Sequence, residues 1–173
     1  MKAQFPAELS EWLSPKGQRL LQGRSPLQGA LKQPRTWLVA QPGLLRPKAA
    51  DAALAALAPL EPLLEEMALP IPPQTLTEMT ENYSEWLPKT GRVLTAYLDD
   101  LLEPSVRAAD QLGLLKFLRS DSMGQLAANL AGRPVLRGWG VQVLCYRPGD
   151  YAGPHNDHHP EDEAAKAGYL DLH

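Results

Sequence analysis

Two side chains near the end of the chain have the types and spacing of a metal-ligand pair, His155 and Asp157. On extended backbone, residues two positions apart point to the same side. An imidazole and a carboxylate placed that way can occupy neighbouring vertices of one coordination sphere. A second histidine from elsewhere completes the two-histidine, one-carboxylate facial triad, which leaves positions open for substrate and oxygen at non-haem Fe(II). A motif this short also arises by chance. The plain alternative is a polar turn in which Asp157 caps backbone N–H groups and His155 faces solvent. Glu161, Asp162 and Glu163 nearby favour a cation.

The stretch before the pair is suited to presenting it. Val141, Val143 and Cys145 alternate with Gln142, Leu144 and Tyr146, and this period of two predicts a half-buried strand. Pro148-Gly149 then predicts a tight turn, because proline presets φ at one corner and glycine accepts positive φ at the next. Asp150 and Tyr151 read as turn and rim residues.

Tyr146, Gly149, His155 and Asp157 together match, roughly, a Tyr-x-x-Gly, short spacer, His-x-Asp pattern. In this the chain resembles the prolyl 4-hydroxylase-like branch of the Fe(II)/2-oxoglutarate-dependent dioxygenases. The clear match covers about the last quarter of the chain. A short strand over residues 36–40, a turn and then a helix over PKAADAALAAL agree more loosely with the entry to that catalytic domain. The resemblance implies an oxidoreductase with Fe(II) and 2-oxoglutarate as cofactors, in which C–H hydroxylation is coupled to decarboxylation of 2-oxoglutarate to succinate. It implies His155 and Asp157 as metal ligands, and Tyr146 as a hydroxyl donor to the 2-oxoglutarate carboxylate. It also implies a double-stranded β-helix, or jelly roll, behind a helical buttress. The family places a further histidine and a carboxylate-gripping Arg or Lys on later strands. His173 is the only downstream histidine beyond this cluster, and it stands too close to Asp157 for the family's spacing. Over these residues alone the expectation is the front part of such an enzyme, inactive by itself and with weak metal binding.

Other candidates have simpler readings. His158 and His159 are expected to be exposed or outside the ligand set, since adjacent strand residues diverge, and a histidine-rich turn also holds Zn²⁺ or Ni²⁺ adventitiously. Arg137 and Arg147 could bind a carboxylate but precede the motif. Tyr146 could equally be a tyrosine at the edge of the core. Cys145 reads as a small apolar residue, because nothing beside it would activate a thiol. Two other functions suit the same chain. One is a non-enzymatic helical interaction module, or decayed oxygenase fold, working through helical stripes between residues 75 and 131. The other is a zinc-binding jelly-roll protein.

The elements that must position the site are helical first and strand-like last. Residues 1–34 carry many breakers and predict a loosely ordered arm, with a short amphipathic helix over Phe5, Leu9, Trp12 and Leu13. Residues 35–173 predict a partial oxygenase domain with a helical layer over 44–132 and strands over 36–40 and 136–173. Within that layer the spacing predicts a helix over Lys48–Ala58 with Leu54 and Leu57 on one face, a helical turn from Pro62 through Met67, and a helix opened by Thr75 and Glu78. Val93, Leu94, Tyr97, Leu98 and Leu101 predict another, with Tyr97 in the core. The patch Leu112–Leu118 has no clear type. Ser122-x-x-Gln125 predicts a capping box, and Gly132 a left-handed helix stop. The fold class expected is α+β.

Composition narrows the setting. With 17 Lys and Arg against 20 Asp and Glu, the net charge of −3 implies no general attraction to nucleic acid or to anionic membrane. No apolar run reaches bilayer-spanning length, and MKAQFPAELSEWL lacks the apolar stretch of a secretory signal. One cysteine excludes an internal disulfide and fits a reducing, cytoplasmic compartment. An open sheet edge would invite strand pairing. The substrate, whether small molecule or protein, is not written in these residues.

Overall fold

The computed structural model describes residues 4–32, 40–68, 90–135 and 139–152. They form a mixed α+β structure that divides into two compact units. Among the described residues, the first unit takes those up to Leu63 and those from Tyr97 to Val141; the second takes the remainder.

In the first unit the helices begin and end where local chemistry dictates. Helix α1 (Pro15–Leu21) follows Ser14, whose hydroxyl accepts from the N–H groups of Lys16 and Gly17, both at 3.2 Å, with proline in the first turn. Helix α2 (Pro47–Leu57) also opens on proline and runs into a 3-10 segment over Ala58–Leu63. Helices α3 (Pro104–Gln111) and α4 (Leu114–Leu118) are separated by Gly113 at φ 78°. Helix α5 (Asp121–Ala131) stops at Gly132, which takes the left-handed conformation at φ 64° as its position predicts.

Several expectations change here. The N-cap of α5 is Ser120, accepting from Met123 N–H at 3.3 Å, whereas the Ser122 hydroxyl donates to Glu8 Oε2 at 2.6 Å. The buried residues of α2 are Ala49 and Ala56, while Leu54 is 69% exposed. The segment read as a loosely ordered arm contributes Phe5, Leu9, Leu13 and Leu20 to the core, the last two almost wholly buried. Burying one leucine contributes about 1.5–3 kcal/mol, enough for a few such residues to offset the breakers between them. Phe5, Trp12 and Phe117 form a triangle of rings with centroids 5.0–5.3 Å apart. In place of an amphipathic helix, the chain from Leu9 to Glu11 makes one 3-10 turn.

That segment is also held by polar bonds. The Phe5 N–H donates to Leu112 O at 2.9 Å, Leu9 N–H to Ser120 Oγ at 3.4 Å, and Ser10 N–H to Ser122 Oγ at 3.1 Å. Glu8 completes the set, its carboxylate accepting from both the hydroxyl and the N–H of Ser122. A negative charge there also favours the positive end of α5. Further along, Gly17 lets α1 lie against the loop at residues 43–45. Ser14 N–H bonds Leu44 O, its hydroxyl donates to Gly43 O, and Leu13 bridges Leu45.

The second unit holds the sheet. Strand β1 (Glu65–Ala68) pairs antiparallel with β2 (Thr90–Tyr97), Glu65 opposite Thr95 and Ala68 opposite Arg92. The other edge of β2 takes β3 (Gln142–Cys145) and then the two-residue β4 (Tyr151–Ala152), with Arg92 opposite Tyr151. The expected helix over Val93–Leu101 is therefore a strand. Val93, Leu94, Thr95 and Ala96 are all buried in succession, so both faces of β2 are covered, and a strand covered on both faces loses the alternation that would announce it. Tyr97, expected in the core, is 61% exposed. The helical turn expected through Met67 gives way to β1, all of whose residues are exposed. Of the strand expected over residues 36–40, all but Ala40 lies outside the described residues, as does the helix expected over 75–87. No helix among the described residues is long and apolar enough to cross a membrane.

Two outcomes follow. A Cβ at position 17 would collide with Leu44 O and come within 2.8 Å of Leu13 Cδ2. Gly17→Ala should therefore destabilise by about 2–3 kcal/mol, read as a lower urea midpoint with unchanged slope. For Glu8, the hydroxyl and N–H of Ser122 hold the carboxyl below its ordinary 4.5. A lowered folded pKa stabilises fully above the unfolded value and is lost as pH falls through the folded one. Glu8→Gln should accordingly lower the urea midpoint at neutral pH, and the gap should close on acidification below the carboxylate range.

Candidate functional site

Strand β3 delivers the chain to the site as its pattern predicts. Val141 is buried and Val143 and Cys145 are half-buried, whereas Gln142, Leu144 and Tyr146 are exposed. The side chain of Gln142 is fixed across the sheet by its Nε2 donating to Thr95 Oγ1 at 2.9 Å. Thr95 is buried, so this bond satisfies a hydroxyl that would otherwise be costly to enclose.

After Tyr146 the backbone turns. Asp150 N–H donates to Arg147 O at 2.8 Å, closing a four-residue turn with Pro148 and Gly149 at its corners and Gly149 at φ 93°. The Asp150 side chain closes the same turn from the other direction, its Oδ2 accepting from Arg147 N–H at 2.8 Å. Its Oδ1 lies 3.8 Å from Arg92 Nε, and the Asp150 side chain is only 7% exposed. Arg92 in turn reaches Glu66 Oε2 through Nη2 at 3.1 Å. One guanidinium on β2 thus meets a carboxylate on β1 and another in the turn. The exposed Arg92–Glu66 pair contributes about 0–1 kcal/mol; its effect is to fix where the turn lies. The sequence marks Asp150 as a turn residue but gives no sign of Arg92, because a partner so distant in sequence becomes visible only when the register is known.

Of the residues singled out for chemistry, Tyr146 stands at the end of β3 and is 46% exposed, its ring open to solvent rather than packed in the core. Cys145 is a free, half-buried thiol. Arg147 is exposed at the start of the turn. The pair His155 and Asp157, together with Arg137, His158, His159 and His173, lies outside the described residues. Among the described residues, no three His, Cys, Asp or Glu side chains gather where they could hold a metal ion.

The turn can be tested alone. Gly149 needs a positive φ that other residues adopt only with strain, and no atom lies within 4 Å of where its Cβ would stand. Gly149→Ala should cost about 1–2 kcal/mol from backbone conformation alone, measured by urea unfolding. Set against known protein families, curated proteins and solved structures, the chain finds no match.

Proposed function

We propose that the chain is part of an Fe(II)/2-oxoglutarate-dependent dioxygenase of the prolyl 4-hydroxylase-like kind, acting in the cytoplasm. The observation that carries this reading is the path of the backbone from β3 through the Pro148-Gly149 turn to β4, which returns to β2 three residues before His155. A strand, a clamped turn and a resumed strand are the setting in which a His-x-Asp pair serves as two ligands rather than as a polar bend. The donor set fits the metal, since an imidazole and a carboxylate suit Fe(II), and a second imidazole would complete the facial arrangement. When bound, Fe(II) with 2-oxoglutarate would activate O2, the oxidant, so that decarboxylation of 2-oxoglutarate to succinate is coupled to hydroxylation of a substrate C–H bond.

In this reading the chain's residues have distinct roles. His155 and Asp157 hold the metal, and Tyr146 offers its hydroxyl to the 2-oxoglutarate carboxylate. The exposure of Tyr146 suits a group that must meet a ligand. Arg92 and Asp150 hold the turn that sets the position of the pair. The antiparallel sheet is read as the opening strands of a jelly roll, with the helices as its buttress.

Anaerobic titration of the chain with Fe(II) in the presence of 2-oxoglutarate is the test. A weak visible charge-transfer band should appear. His155→Ala and Asp157→Ala should each weaken binding at least about tenfold, a loss of about 1.4 kcal/mol. His158→Ala and His159→Ala should leave it nearly unchanged. Metal binding that depends on His158 and His159 instead would mark an adventitious histidine site. Binding with no band on adding 2-oxoglutarate would point to a zinc-type protein.

A further inference from the structure

Between β2 and α3 the chain makes a short turn in the first unit whose residues 99–103 are all exposed. Two of them are adjacent leucines, Leu101 at 63% and Leu102 at 78% exposure, and Leu102 is the most exposed large apolar side chain among the described residues. Leucines exposed singly are ordinary on a protein surface. Two in succession on one turn make a compact apolar knob. The core stands close on either side in sequence, since Leu98 and Val106 are almost wholly buried.

The turn keeps its shape without the leucine side chains. Glu103 N–H donates to Asp100 O at 3.0 Å, and Leu102 N–H donates to Asp100 Oδ1 at 2.8 Å. Leu98 N–H, bonded to Val141 O at 2.8 Å, fixes the chain before the turn, and Pro104 opens α3 directly after it. The knob therefore stands on a fixed base, and covering it costs little backbone freedom.

Charge around the knob is of one sign. Asp99, Asp100 and Glu103 flank the leucines, a formal −3 within five residues and as large as the net charge of the whole chain. Among the described residues none of the three forms an ion pair, and Arg107, one helical turn beyond Glu103, pairs with none of them. The same knob on a second copy would set these carboxylates against one another, and an anionic membrane would repel them. A surface that covers the leucines and matches the carboxylates is apolar at its centre and basic at its rim.

We propose that residues 99–103 are a docking knob for a partner protein that offers an apolar pocket ringed by lysine or arginine. Leu101 and Leu102 enter the pocket, Asp99 and Glu103 meet the rim, and Asp100 keeps the turn closed. Burial of the leucines drives association, while the carboxylates set its rate and the choice of partner.

The test uses the full chain and a fluorescein-labelled peptide of about fourteen residues, Leu and Lys only, spaced to give a helix with a leucine face bordered by lysines. Fluorescence anisotropy should show saturable binding that weakens with added salt. Leu101→Ser with Leu102→Ser should weaken it at least about tenfold, and Asp99→Asn with Glu103→Gln at least about threefold with a flatter salt dependence. All four side chains are exposed, so the urea midpoint should stay that of the parent chain. Leu54→Ser, at a similarly exposed leucine of α2, should leave binding unchanged. No saturation, full binding by the double serine variant, or an equal loss in Leu54→Ser would overturn the proposal. So would leucine-dependent binding to phosphatidylcholine vesicles tighter than to the peptide, which would mark a membrane contact. Leucine-dependent self-association in sedimentation would also overturn it, making a second copy the occupant.

Discussion

Strand β2 constrains everything around the candidate site. Its residues from Val93 to Ala96 are buried one after another, so its backbone N–H and C=O groups are out of reach of water. Each such group must find a partner, and an orphan costs about 1–3 kcal/mol. β1 satisfies one edge over four residue pairs. The other edge needs a chain that arrives from much later in the sequence, and β3 and β4 supply it. The pairing at Arg92 and Tyr151 is out of step with the ladder at Thr90 and Ala152, which places an irregularity beside the turn. The extra residue is on β2, where two steps from Thr90 to Arg92 face the single step from Ala152 to Tyr151. The position of the Pro148-Gly149 turn thus descends from the need to pair a buried strand.

The first unit solves a different problem with similar means. Its helices are short because prolines and glycines interrupt them, and short helices hold together mainly by packing. The N-terminal segment supplies much of that packing through Phe5, Leu9, Leu13 and Leu20, and it orients α5 through Glu8, Ser120 and Ser122. Asn129 continues the same logic at the other end of α5, its Nδ2 donating to Leu20 O and Leu21 O at 2.8 and 2.9 Å. A buried amide is tolerable there because its two N–H groups are satisfied by carbonyls at the end of α1, Leu21 O and Leu20 O, the latter also accepting from Gly23 N–H. One face of α5 is thereby committed to α1.

Legibility in the sequence followed the locality of the signal. Helix α2, the Gly132 stop, the alternation of β3 and the Pro148-Gly149 turn were all readable, because each depends on residues within a few positions. β2 was not, since burial on both faces removes the period of two and leaves an apolar run that fits a helix equally well. Its β-branched Val93 and Thr95 were the available signal, outweighed by the spacing of Leu94, Leu98 and Leu101. The cap of α5 was misplaced by two residues because Ser120 and Ser122 are both plausible caps locally. Only the distant carboxylate of Glu8 decides which hydroxyl is used for what. The role of residues 4–32 was hidden for the same reason, as breakers are visible in sequence and the surface they lie against is not. For the candidate site, the turn that introduces it was legible and its clamp through Arg92 was not.

That clamp also bears on which carboxylate could serve a metal. Asp150 is the acidic residue of the turn and lies five positions before His155, so composition alone would make it a rival to Asp157. Its geometry argues otherwise. Oδ2 already accepts from Arg147 N–H, and Oδ1 faces the Arg92 guanidinium. A cation at either oxygen would have to displace a backbone hydrogen bond that closes the turn, or sit beside a fixed positive charge at a mostly buried position. Both costs fall on the turn itself, so a site using Asp150 would loosen its own support. Asp150 is thereby committed to the turn and to Arg92 and is unsuited to hold a metal.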